Sequence, residues 1–222
     1  LDQASLEATY DVMAEAYARI FTRLGLRFRK VDAHGGEIGG SRSQEFHVLA
    51  ESGEDRIAWC EGDSFAANVE MAPAAPPANP RPAGRQSLTR VATPGVRSID
   101  EVTAFLKVGA GQCLKTLVVE GTDGGLVALL LRGDHELNPL KAERAPGVAR
   151  PLRLASPERV LAATGAPVGA IGPVNLPLPM VADHSALVLA DFVCGANTPD
   201  VHLTGVNWER DLPLPAATDL RN

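Results

Sequence analysis

The chain has 222 residues, 45% of them apolar and 22% charged, with 21 Lys and Arg against 27 Asp and Glu and a net charge of −6. This composition excludes a disordered tail and lacks the basic excess of a non-specific nucleic-acid binder, and the longest apolar run, at 126–131, is far short of the ~20 residues that span a bilayer. Three scattered cysteines, Cys60, Cys113 and Cys194, form neither a disulfide framework nor a zinc spacing, which predicts a reducing, cytoplasmic setting and no metal.

In chain order, Leu6, Tyr10, Met13, Tyr17, Phe21 and Leu24 recur at three- and four-residue spacing before Gly25, which predicts an amphipathic helix ending near Leu24. The chain opens at Leu1 inside this helix, without a signal-peptide pattern, and reads as a piece of something longer. Strands are expected at 26–31, 43–50 and 56–60, the first two parted by the turn His34-Gly35-Gly36-Glu37-Ile38-Gly39-Gly40. Together these segments predict a helix packed on a β-ribbon. Residues 73–90, with Pro73, Pro76, Pro77, Pro80 and Pro82, lack apolar periodicity and read as a semi-extended linker.

A second domain is expected over 91–207. Ser98-Ile99-Asp100-Glu101 is a capping box that opens a helix to about Lys107. Apolar strands at 114–120 and 126–132 flank Thr122-Asp123-Gly124-Gly125, a hairpin signal. A short helix is expected at 138–144, a strand at 151–154, a helix from Ser156-Pro157-Glu158 to Gly165, and strands at 179–183 and 186–192. The fold class is α+β with strands in the majority.

Lys115 is the most informative polar residue. Strand alternation gives it a face shared with Leu117 and Val119, so it either snorkels to water at the strand end or holds a cation at a pocket rim. The segment 165–179 carries Gly165, Gly169, Gly172, Pro167, Pro173, Pro177 and Pro179, either a plain turn-rich connection or a loop whose amides form an oxyanion hole. Asp183-His184-Ser185 has the residue types of a hydrolase triad, but neighbours on a strand face alternately and cannot form the relay. His202 is either a half-buried histidine or a pocket donor. Cys113 has no neighbouring base and is expected to be inert.

Several uncommon strings then stand in order: Gly40-Ser41-Arg42-Ser43-Gln44-Glu45-Phe46-His47, Ser52-Gly53-Glu54-Asp55, Lys115-Thr116-Leu117, Arg132-Gly133-Asp134-His135-Glu136-Leu137-Asn138, Gly172-Pro173-Val174-Asn175 and Asn207-Trp208-Glu209-Arg210-Asp211. Through them the chain resembles the bacterial-type prolyl-tRNA synthetases along essentially its whole length. The resemblance implies that residues 1–72 are part of the class II catalytic core, 73–90 a linker, 91–207 the inserted editing domain of the aminoacyl-tRNA deacylase type, and 208–222 the return into the core. It implies hydrolysis of alanine mischarged on tRNA(Pro), with no cofactor in the editing site. ATP with Mg, proline, tRNA(Pro) and a homodimer are implied for the full synthetase, whose other class II motifs fall outside this chain.

By position, Lys115 resembles the family's editing lysine, 169–173 its Gly-x-x-x-Pro loop with Gly169, Gly172 and Pro173, and His202 a histidine of the alanine pocket. Ile99 and Val102 match the apolar positions that limit pocket size, and Asp183 an acidic residue near it. Val102 stands where some relatives carry a larger aliphatic side chain, which implies a roomier pocket. For Glu45 and His47 the resemblance implies the wall of the proline or adenylate pocket. Two other readings are a free-standing deacylase and a non-catalytic tRNA- or amino-acid-binding module of the same fold.

Overall fold

A computed structural model describes residues 2–33 and 43–222; the expected glycine-rich turn at 34–40, with Ser41 and Arg42, lies outside the described residues. The chain divides into two compact units, Leu1–Ala72 and Pro73–Asn222.

In the first unit, α1 (Gln3–Arg23) starts at Asp2, whose carboxylate accepts from the Ser5 amide while the Ser5 hydroxyl accepts from the Asp2 amide. Its apolar stripe brings Tyr17 and Phe21 against Phe28 and Phe46, with ring centroids 5.4 to 5.8 Å apart. The strands beneath are β1 (Phe28–Asp32), β2 (Gln44–Val48), β3 (Ile57–Trp59) and β4 (Ala66–Asn68), in the order β2-β1-β4-β3. The expected ribbon is therefore a four-stranded mixed sheet, since β4 pairs parallel to β1 and antiparallel to β3. Three residues, Ala-Ala-Asn, are too short for a period-two signal.

The second unit contains β5 (Thr89–Ala92), α2 (Ile99–Leu106), β6 (Leu114–Glu120), β7 (Leu126–Arg132), α3 (Pro139–Ala142), α4 (Pro157–Thr164), β8 (Met180–Asp183), β9 (Phe192–Gly195), β10 (Val201–Val206) and β11 (Ala216–Thr218). One sheet runs β11-β8-β7-β6 and another β5-β10-β9, and the Cys113–Val193 bridge joins them. β7 sits inside its sheet, and Leu126–Leu131 is buried throughout, which is why its sequence is continuously apolar. Leu130 faces Phe192, Leu203 and Trp208 in one core, while Leu129 and Leu131 face Val181 and Leu220 in another.

Two expected strands differ. Residues 186–192 form turns in which Ala186 donates to the Asp183 carbonyl and Leu189 to that of Ala186, and β9 begins only at Phe192. Their apolar side chains fill the core without being extended, which periodicity cannot distinguish. Residues 151–154 follow the edge of β6 through an isolated Leu154–Val119 bridge, because Pro151 has no amide to donate and the Leu152 amide is taken by Glu143.

The proline-rich stretch packs on this unit at several points. The Ala74 amide donates to Asp219, Arg81 pairs with Glu209, and the Arg85 and Gln86 amides donate to Asp191 at 2.8 to 3.0 Å. The C-terminal residues also belong here: β11 lies parallel to β8, and Leu220 is fully buried.

Candidate functional site

A cavity of about 290 Å³ lies in the second unit, bounded by the start of α2, the first half of β6, the loop after α4, and strands β9 and β10. The capping box sets one wall. Ser98 Oγ accepts from the Glu101 amide, and the Glu101 carboxylate accepts from the amides of Arg97 and Ser98 at 2.8 Å, which holds its pKa below the usual value. With the helix fixed there, Ile99 and Val102 lie three residues apart and both line the cavity. Leu117, Ile171 and Val193 complete the apolar walls.

The polar groups come from separate elements. His202, on β10, is 5% exposed, and its Nδ1 is 2.6 Å from Oγ1 of the fully buried Thr93. Burial lowers its pKa, so the ring is neutral at pH 7 and Nε2 has no partner among the described residues. Thr93, just past β5, was not legible as a site residue because its partner is 109 positions away. Lys115 also lines the cavity; its Nζ is 3.5 Å from the Gly133 carbonyl, and burial lowers its pKa against the opposing fields of Glu136 and Asp134. Cys113 and Cys194 line the same space, but burial pushes both thiols up, Cys113 to about 11, so neither is a thiolate nucleophile at neutral pH.

The loop divides into two parts. Gly169 has φ +90°, which suits glycine, and with Ile171 it lines the cavity; neither amide donates to a protein group among the described residues. Gly172 and Pro173 do not line it. The Gly172 amide donates to Asn197 Oδ1 at 2.8 Å, and a Cβ there would sit 1.8 Å from the Gly195 carbonyl oxygen. Gly172 therefore serves close packing, whereas the open amides belong to Gly169 and Ile171.

Asp183 is not brought to the cavity either. It is 1% exposed and accepts from the Ser185 amide, the Ser185 hydroxyl, the Leu220 amide and Arg221. Burial alone would raise its pKa, but those hydrogen bonds and the arginine outweigh it and hold the carboxyl low. Ser185 Oγ is also 2.9 Å from His135 Nδ1, and Arg132 donates to His135 Nε2 at 2.9 Å. The serine thus meets His135 rather than its neighbour His184, yet the polarity is wrong for a triad: the hydroxyl proton points to Asp183, and the arginine occupies the other imidazole nitrogen.

Glu45 and His47 lie in the first unit, on one face of β2, with His47 Nε2 2.8 Å from Glu45 Oε2. His47 lines a groove of about 590 Å³ with Arg27, Arg56 and Trp59, and Arg29 stacks over Trp59. Among the described residues no three His, Cys, Asp or Glu side chains gather as a metal site, and no helix is long and apolar enough to cross a membrane.

The model of the aminoacyl-tRNA editing domain matches residues 93–212, more than half of the chain and all of the cavity. Among solved structures, a scaffold protein used for computational grafting of linear epitopes is 26% identical, with a TM-score of 0.52 over 61% of this chain and 86% of its own. A protein described as a candidate trans-editing enzyme for prolyl-tRNA synthetase is 28% identical, with a TM-score of 0.49, covering 61% of this chain and 87% of its own. A hypothetical protein is 30% identical, with a TM-score of 0.47, covering 53% and 79%.

Proposed function

The chain belongs to the aminoacyl-tRNA editing-domain family, and on that premise we propose that it hydrolyses the ester of alanine mischarged on tRNA(Pro), as the editing part of a prolyl-tRNA synthetase. The observation that carries this reading is the convergence of Ile99, Val102, Lys115, Gly169 and His202, from four separate stretches of sequence, on one small cavity with apolar walls. A space of that size suits an alanyl side chain next to the terminal ribose. Editing is needed for such a substrate, because a pocket shaped for proline cannot strongly reject a smaller side chain.

In this mechanism a water attacks the ester carbonyl, oriented with help from the adenosine 2′-hydroxyl. The carbonyl oxygen accepts from the open amides of Gly169 and Ile171, which stabilise the charge that develops on it. Lys115 anchors the phosphate of the terminal adenosine, and neutral His202, held by Thr93, offers Nε2 to the substrate without adding charge. No protein nucleophile is required. The carbonyl carbon gains the water oxygen and loses the ribose oxygen, which leaves protonated.

The synthetase assignment rests on the strings of residues 1–72 and 207–211. It assigns Glu45 and His47 to the proline or adenylate pocket of an ATP- and Mg-dependent, cytoplasmic homodimeric ligase. A free-standing deacylase fits the second unit equally well, and an upstream reading frame encoding the class II arginine motif decides between the two. The hydrolytic reading is tested by release of alanine from alanyl-tRNA(Pro). The chain is expected to release it faster than Lys115→Ala by about 100-fold or more, while equal background rates for both would leave only a binding module.

A further inference from the structure

One polar group in the cavity is unaccounted for. Thr116 lies on the face of β6 opposite Lys115, in register with Leu130, and lines the cavity. Its Oγ1 is buried and has no hydrogen-bond partner among the described residues. A hydroxyl removed from water without a partner is destabilising, and native proteins keep few of them.

The aminoacyl ester proposed above supplies a matching group; the inference rests on that reading. Its α-ammonium brings N–H donors into a cavity that, among the described residues, no carboxylate lines. The loop amides are donors and suit the carbonyl oxygen, not the ammonium. Ser98 Oγ already accepts from the Glu101 amide, His202 Nδ1 is engaged by Thr93, and the two thiols are weak acceptors. Among the described residues, Thr116 Oγ1 is a lining side-chain oxygen with no hydrogen bond at all.

We propose that Thr116 Oγ1, turned to the cavity by rotation about χ1, accepts a hydrogen bond from the α-ammonium of the aminoacyl group, so that the free amino group is read by a neutral hydroxyl. The test measures kcat/KM on alanyl-tRNA(Pro) and on propionyl-tRNA(Pro), in which hydrogen replaces the amino group, for the unaltered chain, Thr116→Val and Thr116→Ser, with melting temperatures alongside. Thr116→Val is expected to lose about ten- to hundredfold on the alanyl ester, Thr116→Ser to keep most activity, and the propionyl ester to show less than about a twofold difference between variants. Because no partner is orphaned, Thr116→Val should melt no lower than the unaltered chain. No loss on the alanyl ester, an equal loss on both esters, or a lower melting temperature with Val would each overturn the assignment of this hydroxyl. Absence of turnover by the unaltered chain would overturn the proposed function itself, and this inference with it.

Discussion

Two polar clusters in the second unit contrast in how far their hydrogen bonds are satisfied. Around Asp183, the links Arg132 to His135, His135 to Ser185, Ser185 to Asp183 and Arg221 to Asp183 form one continuous chain, with donors and acceptors matched. In the cavity, Thr116 Oγ1, His202 Nε2 and the amides of Gly169 and Ile171 all lack protein partners among the described residues. The cluster with the residue types of a hydrolase is thus a completed structural network, and the cluster with a less familiar inventory is the one with capacity left for a substrate. Unspent hydrogen bonding, more than residue type, separates a binding site from a tie in the core.

The sharpest way to break that contrast is to open the Asp183 network. Asp183→Ala leaves Arg221, the Ser185 amide and the Leu220 amide without their acceptor, and is expected to lower stability by about 3–5 kcal/mol. Denaturant titration reads this directly, and the rate per folded molecule should change little. Gly172→Ala comes next. Its Cβ must displace the Gly195 carbonyl, and a loss of about 1–3 kcal/mol is expected from the forced shift, with a fall in deacylation as Gly169 and Ile171 move. Val102→Ala, at a position 3% exposed, should cost up to about 2 kcal/mol and let the cavity accept a larger aminoacyl side chain, seen as a rise in hydrolysis of a larger ester relative to alanine.

The smallest expected effect is on pH dependence. His202 and His135 both have pKa values lowered in the folded chain, chiefly by burial. The unfolded chain therefore binds protons first. Stability is full above the ordinary histidine value of about 6.5 and falls as pH drops below it toward the folded values. Asp183, held low, adds its own loss only below the ordinary carboxylate value of about 3.9. Thermal melting between pH 7 and pH 5 should show the histidine part. Replacing His202 by Gln should remove part of that slope, and an unchanged slope in both His202→Gln and His135→Gln would contradict the assignment.

Local features were legible in the sequence where the signal is itself local. The capping box at Ser98, the hairpin turn before β7 and the Pro157 start with its Gly165 stop all require only near neighbours. Strand alternation, loop composition and residue type already single out Lys115, Gly169 and His202 as candidates, the resemblance adds Ile99 and Val102, and the fold brings all five to one cavity. Asp183 and Gly172 carry the expected residue types but are used in packing and core hydrogen bonding, which spacing does not reveal. The order β5-β10-β9 joins segments more than 100 positions apart, and Thr93 acquires its partner only through it. The role of Thr116 is hidden in the sequence for the same reason. Whether a hydroxyl is satisfied depends on what distant strands place beside it.

The most direct test of the contrast is alanine release from alanyl-tRNA(Pro) by the unaltered chain, Lys115→Ala and Ser185→Ala, each normalised to folded protein. If the cavity does the chemistry, Ser185→Ala stays within about threefold of the unaltered chain while Lys115→Ala drops to background. Loss of activity in Ser185→Ala with activity kept in Lys115→Ala would place the chemistry in the Ser185–His135–Asp183 network and contradict this account.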